Sequence, residues 1–212
     1  AADSGPLAEV LNYNKAPLVS VDERGAVFRS HLDGARVEMT PESSVEIQCR
    51  LGVDIGNIGE PSAVVIASKR DGHLFIEART LNDPDLEAVE EEIRAIRKDY
   101  KVASCAFDPR MFPRSAEMLE KEGLLMLEFP QTAERMGKAS ATLWRLIERQ
   151  ELHHAADQVL RSHVLAGVVK EDQRGWRLAK DPRTRRPVAA LVALAMAVQI
   201  ASDDGPKTYW VL

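Results

Sequence analysis

The sequence predicts an α/β fold in which one mixed β-sheet is flanked by helices. Three observations point there. Three runs rich in branched apolar residues follow one another across short glycine-containing turns, the pattern of an antiparallel meander. The chain then alternates helical periodicity with short apolar runs, the pattern of parallel strands joined by crossovers. Finally, the run from Val188 to Val198 is apolar nearly all round, as a helix buried beneath a sheet must be. The 212 residues, 45% hydrophobic and 29% charged, suffice for one sizeable core plus an extension.

Residues 1–46 are broken by Pro6, Pro17, Gly25, Gly34 and Pro41, and read as an N-terminal extension or linker. Short strands fit Leu18 to Val21 and Ala26 to Phe28. The main domain, 47–212, opens with a strand ending near Asp54, in which Ile47, Leu51, Val53 and Ile55 are apolar. Gly56, Asn57 and Gly59 then allow a reversal. The second strand is Ala63 to Ser68, Asp71-Gly72 makes the next turn, and the third strand is Leu74 to Thr80. Asn82-Asp-Pro-Asp85 supplies a cap and an early proline for a helix to about Tyr100, with Leu86, Val89, Ile93 and Ile96 on one face. A fourth strand, Lys101 to Phe107, delivers Asp108 at its end. A short helix from Pro113 to Glu122 is closed by Gly123, and Leu124 to Phe129 is a fifth strand. Helices follow over 132–150 and about 157–169, then a polar hairpin over 170–180 turning at Arg174-Gly175, and a last buried helix over 187–201.

Composition excludes some roles. The longest apolar run is too short to span a bilayer, and no signal peptide is visible at the start. Cys49 and Cys105 fall in core strands and read as buried thiols in a reducing compartment. A net charge of −5 argues against polyanion binding by the whole surface. Locally, however, Arg161, Lys170, Arg174, Arg177, Lys180, Arg183, Arg185 and Arg186 are opposed in sequence only by Glu171, Asp172 and Asp181. That stretch suits a nucleic-acid backbone, or else is a solvated charged hairpin. Trp176 could stack on a base or anchor this hairpin, the anchor being the favoured reading, and Glu90-Glu91-Glu92 reads as a solvated helix face. The spacing of His153, His154 and His163 matches no structural zinc pattern.

Asp54 is the residue that asks for an explanation. A carboxylate in a core strand is costly unless something pairs with it, and either a metal ion or the amides of the turn could do so. Should the first and fourth strands be neighbours, Asp54 and Asp108 share one cleft. A divalent cation would relieve their repulsion, and two such ions can drive phosphodiester hydrolysis.

Several pieces in order carry a resemblance. They are Gly52-Val-Asp54-Ile-Gly56, Ala63-Val-Val-Ile66, Ala106-Phe-Asp108-Pro109, Gln131, Leu152-His-His154, the Gly175 hairpin with Lys180, and Leu191-Val-Ala-Leu-Ala-Met-Ala197. Over residues 47 to about 202 the chain resembles the C-terminal nuclease domain of the tailed-bacteriophage terminase large subunit. The resemblance implies a ribonuclease H-like mixed sheet, with the antiparallel meander followed by parallel strands. It implies a metal-dependent DNA endonuclease that cuts concatemeric viral DNA during packaging in the host cytoplasm. Two Mg2+ or Mn2+ ions would serve it, with Asp54 and Asp108 as ligands. The implied partners are double-stranded DNA, the terminase ATPase domain, the small terminase subunit and the portal, with no membrane. Arg174, Lys180, Arg183, Arg185 and Arg186 would track the DNA. No Gly-x-x-x-x-Gly-Lys-Ser/Thr loop is present, so the motor is not expected in this chain. The family places a third acid at the start of the last helix, and here Ala189 stands in that place. The domain is therefore expected to be impaired, unless Glu60, Asp181 or Asp203 substitutes. The alternatives are a catalytically degenerate DNA-binding or packaging module and an actin- or sugar-kinase-like ATPase.

Overall fold

A computed structural model describes residues 18–22, 25–29, 36–39 and 48–203, apart from 58, 83, 84, 174 and 185. In the N-terminal region β1 (Leu18–Asp22), β2 (Gly25–Arg29) and β3 (Arg36–Met39) form a small antiparallel sheet in that order. The first two strands lie where the sequence places them. The third, RVEM, lies between Gly34 and Pro41 and, at four residues, is too short for alternation to mark it as a strand.

The body is a six-stranded sheet built from β4 (Gln48–Asp54), β5 (Ser62–Arg70), β6 (His73–Leu81), β7 (Lys101–Phe107), β8 (Met126–Glu128) and β9 (Leu152–His154). Their spatial order is β8-β7-β4-β5-β6-β9. Strands β4 to β6 form the expected antiparallel meander. Strand β7 pairs in parallel with β4, β8 with β7, and β9 with β6. The edge strand β9 is not legible as a strand in the sequence. Three residues are too few to show the alternation that marks one.

Two helical layers cover the sheet. On one face, α1 (Leu86–Asp99) and α2 (Pro113–Lys121) pack Val89, Ile93, Ile96, Ala116 and Leu119 against Cys49, Leu51, Val53, Cys105 and Phe107. On the other face lie α3 (Ala133–Glu148), α4 (Gln158–Ala166) and α5 (Ala189–Ser202), above Ala63, Val65, Ala67 and Ala106. Both cysteines are free and wholly buried. Burial pushes the Cys49 thiol up to about 11, so it stays protonated and inert.

Two expectations need correction. The helix expected to reach residue 169 ends at Ala166, and the hairpin β10 (Gly167–Asp172) and β11 (Gly175–Lys180) starts there. Gly167 lies against the Leu191 side chain, with no room for a Cβ, and its backbone is already extended. The acidic run on α1 is not uniformly solvated either. Glu90 is buried and pairs with Arg94 at 3.0 Å, and Arg94 also holds Glu122 at 2.8 Å, which ties α1 to the end of α2.

The sheet and α5 approach closely at Gly52. A Cβ there would stand 2.2 Å from the Ala193 carbonyl oxygen and 2.7 Å from the Ala197 amide, both backbone atoms of α5. Backbone cannot step aside as a side-chain tip can, so only glycine lets the helix reach the sheet. Gly52→Ala is therefore expected to destabilise the domain by about 3 kcal/mol, read from urea unfolding.

Candidate active site

Three chain segments meet at the C-terminal edge of the parallel strands. The β4–β7 register sets Val53 opposite Phe107, so the next residues, Asp54 and Asp108, lie side by side. Neighbouring strands run about 4.8 Å apart. Alternation fixes their face. Val53 and Phe107 point to the α1–α2 core, so Asp54 and Asp108 point to the opposite side, under α3 and α5. Gly52, two residues before Asp54, touches α5 on that same side. The chain leaves β4 toward β5 and leaves β7 toward β8, in opposite directions. A crevice opens where such connections diverge, and this is where open α/β sheets place their sites.

Local structure holds each acid. After β4 the chain reverses with Gly56 pressed on the Glu60 and Pro61 carbonyls, 2.4 Å from where a Cβ would sit. The Gly56 amide donates to Ser62 Oγ at 3.1 Å. At Asp108 the carbonyl accepts from the amides of Met111 and Phe112, and the carboxylate accepts from the Arg110 amide at 3.1 Å, the turn that starts α2. Gln131, in the loop after β8, donates from Nε2 to Asp54 Oδ1 at 2.6 Å. Sequence reasoning misses this role. The position of Gln131 just past a strand parallel to the Asp54 strand was the available signal.

Asp108 is buried, whereas Asp54 keeps partial solvent access although protein atoms crowd its carboxylate. Burial pushes Asp54 up to about 7 from 3.8. The Gln131 bond opposes the rise, and the charges of Asp108 and Glu60 add to it. Glu60, on the β4–β5 turn, is held by the Lys180 ammonium from the end of β11, and that ion pair keeps its carboxyl below the usual range. Lys180 is thus committed to an acid that the local sequence did not set against it.

The other sequence candidates separate. Asp181 is clasped by Arg183, through the amide at 2.9 Å and Nε at 3.1 Å, which holds its carboxyl below the usual range. Asp203 accepts from Gln199 Nε2 at 2.9 Å and faces Lys138 at 3.5 Å. Of the three possible substitutes, Glu60 is the one whose charge reaches Asp54. Ala189 is the first residue of α5, 5% exposed, in the apolar layer that also contains Ala63, the cross-strand partner of Asp54.

The three histidines are dispersed in role. His153 Nε2 lies 2.9 Å from His73 Nδ1 and its ring stacks on Phe75, His154 Nδ1 meets the Ala155 carbonyl at 2.5 Å, and His163 is buried. Among the described residues no group of three or more His, Cys, Asp or Glu side chains is arranged to hold a metal. Trp176 packs partly buried on the core and anchors the hairpin. Arg177 is bound to Asp172 at 2.6 Å, and Arg186 is exposed. Arg174 and Arg185 lie outside the described residues. Among the described residues, no helix is long and apolar enough to cross a membrane.

Comparison with known proteins decides the family. Residues 83–204 match the family described as terminase large subunit, endonuclease domain. The chain belongs to this family. The fold agrees. The large terminase of bacteriophage HK97 aligns with a TM-score of 0.66 at 21% identity, over 74% of this chain and 40% of that one. The large terminase nuclease of thermophilic phage G20c aligns with a TM-score of 0.63 at 16% identity, over 90% of this chain and 96% of that one. That nuclease is also known with bound magnesium and with bound cobalt. These likenesses establish the ribonuclease H-like sheet.

A second match lies ahead of the first. Residues 2–65 match the queuine tRNA-ribosyltransferase family. The enzyme of that name from Deinococcus radiodurans is 54% identical over 35 residues, 16% of this chain and only 9% of the relative. This match runs through β4, so Asp54 lies within it, whereas Asp108, Gln131 and Ala189 of the terminase nuclease lie within 83–204.

The raised Asp54 has a measurable consequence. Between about 4 and about 7 the folded state keeps a proton that the unfolded chain has released, so stability falls as pH rises through that window. Chemical denaturation across it should show a loss on the order of 1–3 kcal/mol. Asp54→Asn should remove most of that slope and be the more stable protein at pH 8.

Proposed function

We propose that this chain is a divalent-metal-dependent DNA endonuclease module of a phage packaging terminase, and that Ala189 makes it a poor one. The observation that carries the reading is the pair Asp54 and Asp108, adjacent at a divergent strand edge where burial and the neighbouring charge keep a proton on Asp54. Two such carboxylates suit one divalent cation, Mg2+ or Mn2+, in place of that proton. The donor set ends at two acids, which does not suit a second ion. When bound, the ion would supply charge stabilisation at a scissile phosphate oxygen. The protein's own part is to hold Asp54 in one orientation through Gln131 and to close one side of the crevice with α5.

Duplex DNA is the expected substrate, met through phosphates by Arg174, Lys180, Arg183, Arg185 and Arg186. No element among the described residues is built to read base edges, so specificity would be low. Lys180 would have to exchange Glu60 for a phosphate, and Arg183 would have to exchange Asp181. An ATPase domain, a small subunit and a portal would be the packaging partners, in the host cytoplasm. The chain spans 40% of the HK97 large terminase, so these partners concern the whole machine. Ala189, and the engagement of Glu60 by Lys180, favour one second reading, a catalytically degenerate module that binds DNA without cutting it.

Plasmid cleavage with manganese tests both readings. Ala189→Asp should nick or linearise the plasmid far faster than the chain as written, and chelation should abolish the gain. Equal cutting by the two proteins sinks the third-acid assignment, and DNA binding without cutting by either supports the degenerate reading. Separately, replacing Lys180, Arg183 and Arg185 together by alanine should weaken binding to unrelated duplexes alike. It should lower the salt slope by about one for each phosphate that is no longer neutralised. Unchanged binding would make the hairpin a solvated surface.

A further inference from the structure

We propose that His163 is a positioning residue for position 189, acting through the backbone of the first turn of α5. The inference rests on reading position 189 as the place of a third acid. Its geometry stands independently of that reading.

Helix α5 begins without a cap of its own. Val188 precedes it with no side-chain hydrogen bond, and its first turn carries no acidic residue. The start is also dry, with Val188 at 8%, Ala189 at 5% and Ala190 at 0% exposure. An amide at such a buried helix start needs an acceptor that neither water nor the local sequence provides. His163, one turn before the end of α4 and 3% exposed, supplies it. The Ala190 amide donates to His163 Nδ1 at 3.0 Å. Next to Ala190, the Leu191 side chain packs over Gly167, the residue that follows α4.

The bond dictates the state of the ring. Nδ1 must be an acceptor, so the ring is neutral with its proton on Nε2. An imidazolium would turn a donor toward the amide. Burial favours the neutral ring, opposed only by the carboxylate of Asp157 at the start of the same helix. No ionisable side chain lies between Ala189 and Ser202 to change this from α5. Because Ala189 and Ala190 share a peptide, a bond that fixes the Ala190 amide also fixes the direction in which a side chain at 189 leaves the helix. A ligand placed there would inherit its aim from His163, the kind of support that outer-shell groups give to metal ligands.

Two substitutions separate the cap from mere packing. His163→Asn keeps an acceptor near the place of Nδ1, whereas His163→Leu keeps volume without one. Each is made in the chain as written and with Ala189→Asp. Amide exchange at Ala190 and manganese affinity, by titration calorimetry without DNA, are the readouts. The leucine change should speed Ala190 exchange about tenfold and, with Ala189→Asp, weaken manganese binding about tenfold or more, while the asparagine change keeps both within a few-fold. In the chain as written, nitrogen-15 spectra should show the proton of His163 on Nε2. Unchanged Ala190 exchange in the leucine variant overturns the cap. Equal loss of manganese affinity with asparagine and leucine overturns positioning in favour of packing. Should Ala189→Asp fail to tighten manganese binding at all, the third-acid reading falls and takes the positioning role with it, while Ala190 exchange still decides the cap. If the leucine variant does not fold, Ala190 protection in the asparagine variant decides, and its loss overturns the cap.

Discussion

The parallel pairing of β4 with β7 is the constraint on which the rest of this molecule depends. With Val53 opposite Phe107, two acids that are 54 positions apart in sequence stand next to each other at one sheet edge. Like charges so placed raise each other's free energy, and burial adds to the cost. The surroundings answer it only in part. Gln131 donates to one carboxylate, a turn amide donates to the other, and the proton that Asp54 retains near neutrality does the remainder. Under the proposed function a divalent cation would relieve the same repulsion.

The helix that closes the crevice is held by equally specific means. Gly52 lets α5 settle on β4 backbone to backbone, and His163 occupies the place of a missing cap. Neither device involves charge, and both fix the same helix, at its middle and at its start. Charge enters from the hairpin instead. Lys180 reaches Glu60 on the turn beyond Asp54, so the β10–β11 hairpin is coupled to the acid pair through one ion pair. A surface that looks basic in sequence is partly neutralised in space: Arg177, Lys180 and Arg183 each hold an acid.

Strand β4 lies in the segment that matches the tRNA-ribosyltransferase family, yet it fills the centre of a terminase nuclease sheet. The physical demands on that strand are few. It needs apolar side chains at alternate positions, met by Cys49, Leu51 and Val53. It needs no side chain where α5 crosses, met by Gly52, and for the site it needs an acid at the end, met by Asp54. A short sequence can meet such demands whatever family it matches, and the sheet includes β4 to β6 although the nuclease match begins at residue 83.

Periodicity, turn residues and the all-apolar last helix were enough to locate the meander, the alternation that follows and the fold class. These are local signals, set by backbone preference and by which face of each element must be dry. They sufficed for β7 to the residue, and for Asp54 and Asp108 as strand-end acids. They did not suffice for β9 or for the early end of α4, where three residues or one crowded glycine decide. Nor could they show that Glu90 is buried, that Lys180 is spent on Glu60, that Gln131 holds Asp54, or that His163 caps α5. Each of those arrangements joins residues whose separation in sequence carries no period, or turns on burial that the local pattern does not reveal. Sequence alone determined most of the elements and which side chains could do chemistry. Strand order and helix packing decided which of them meet, because like charges, ion pairs and buried amides find their partners through space and not along the chain.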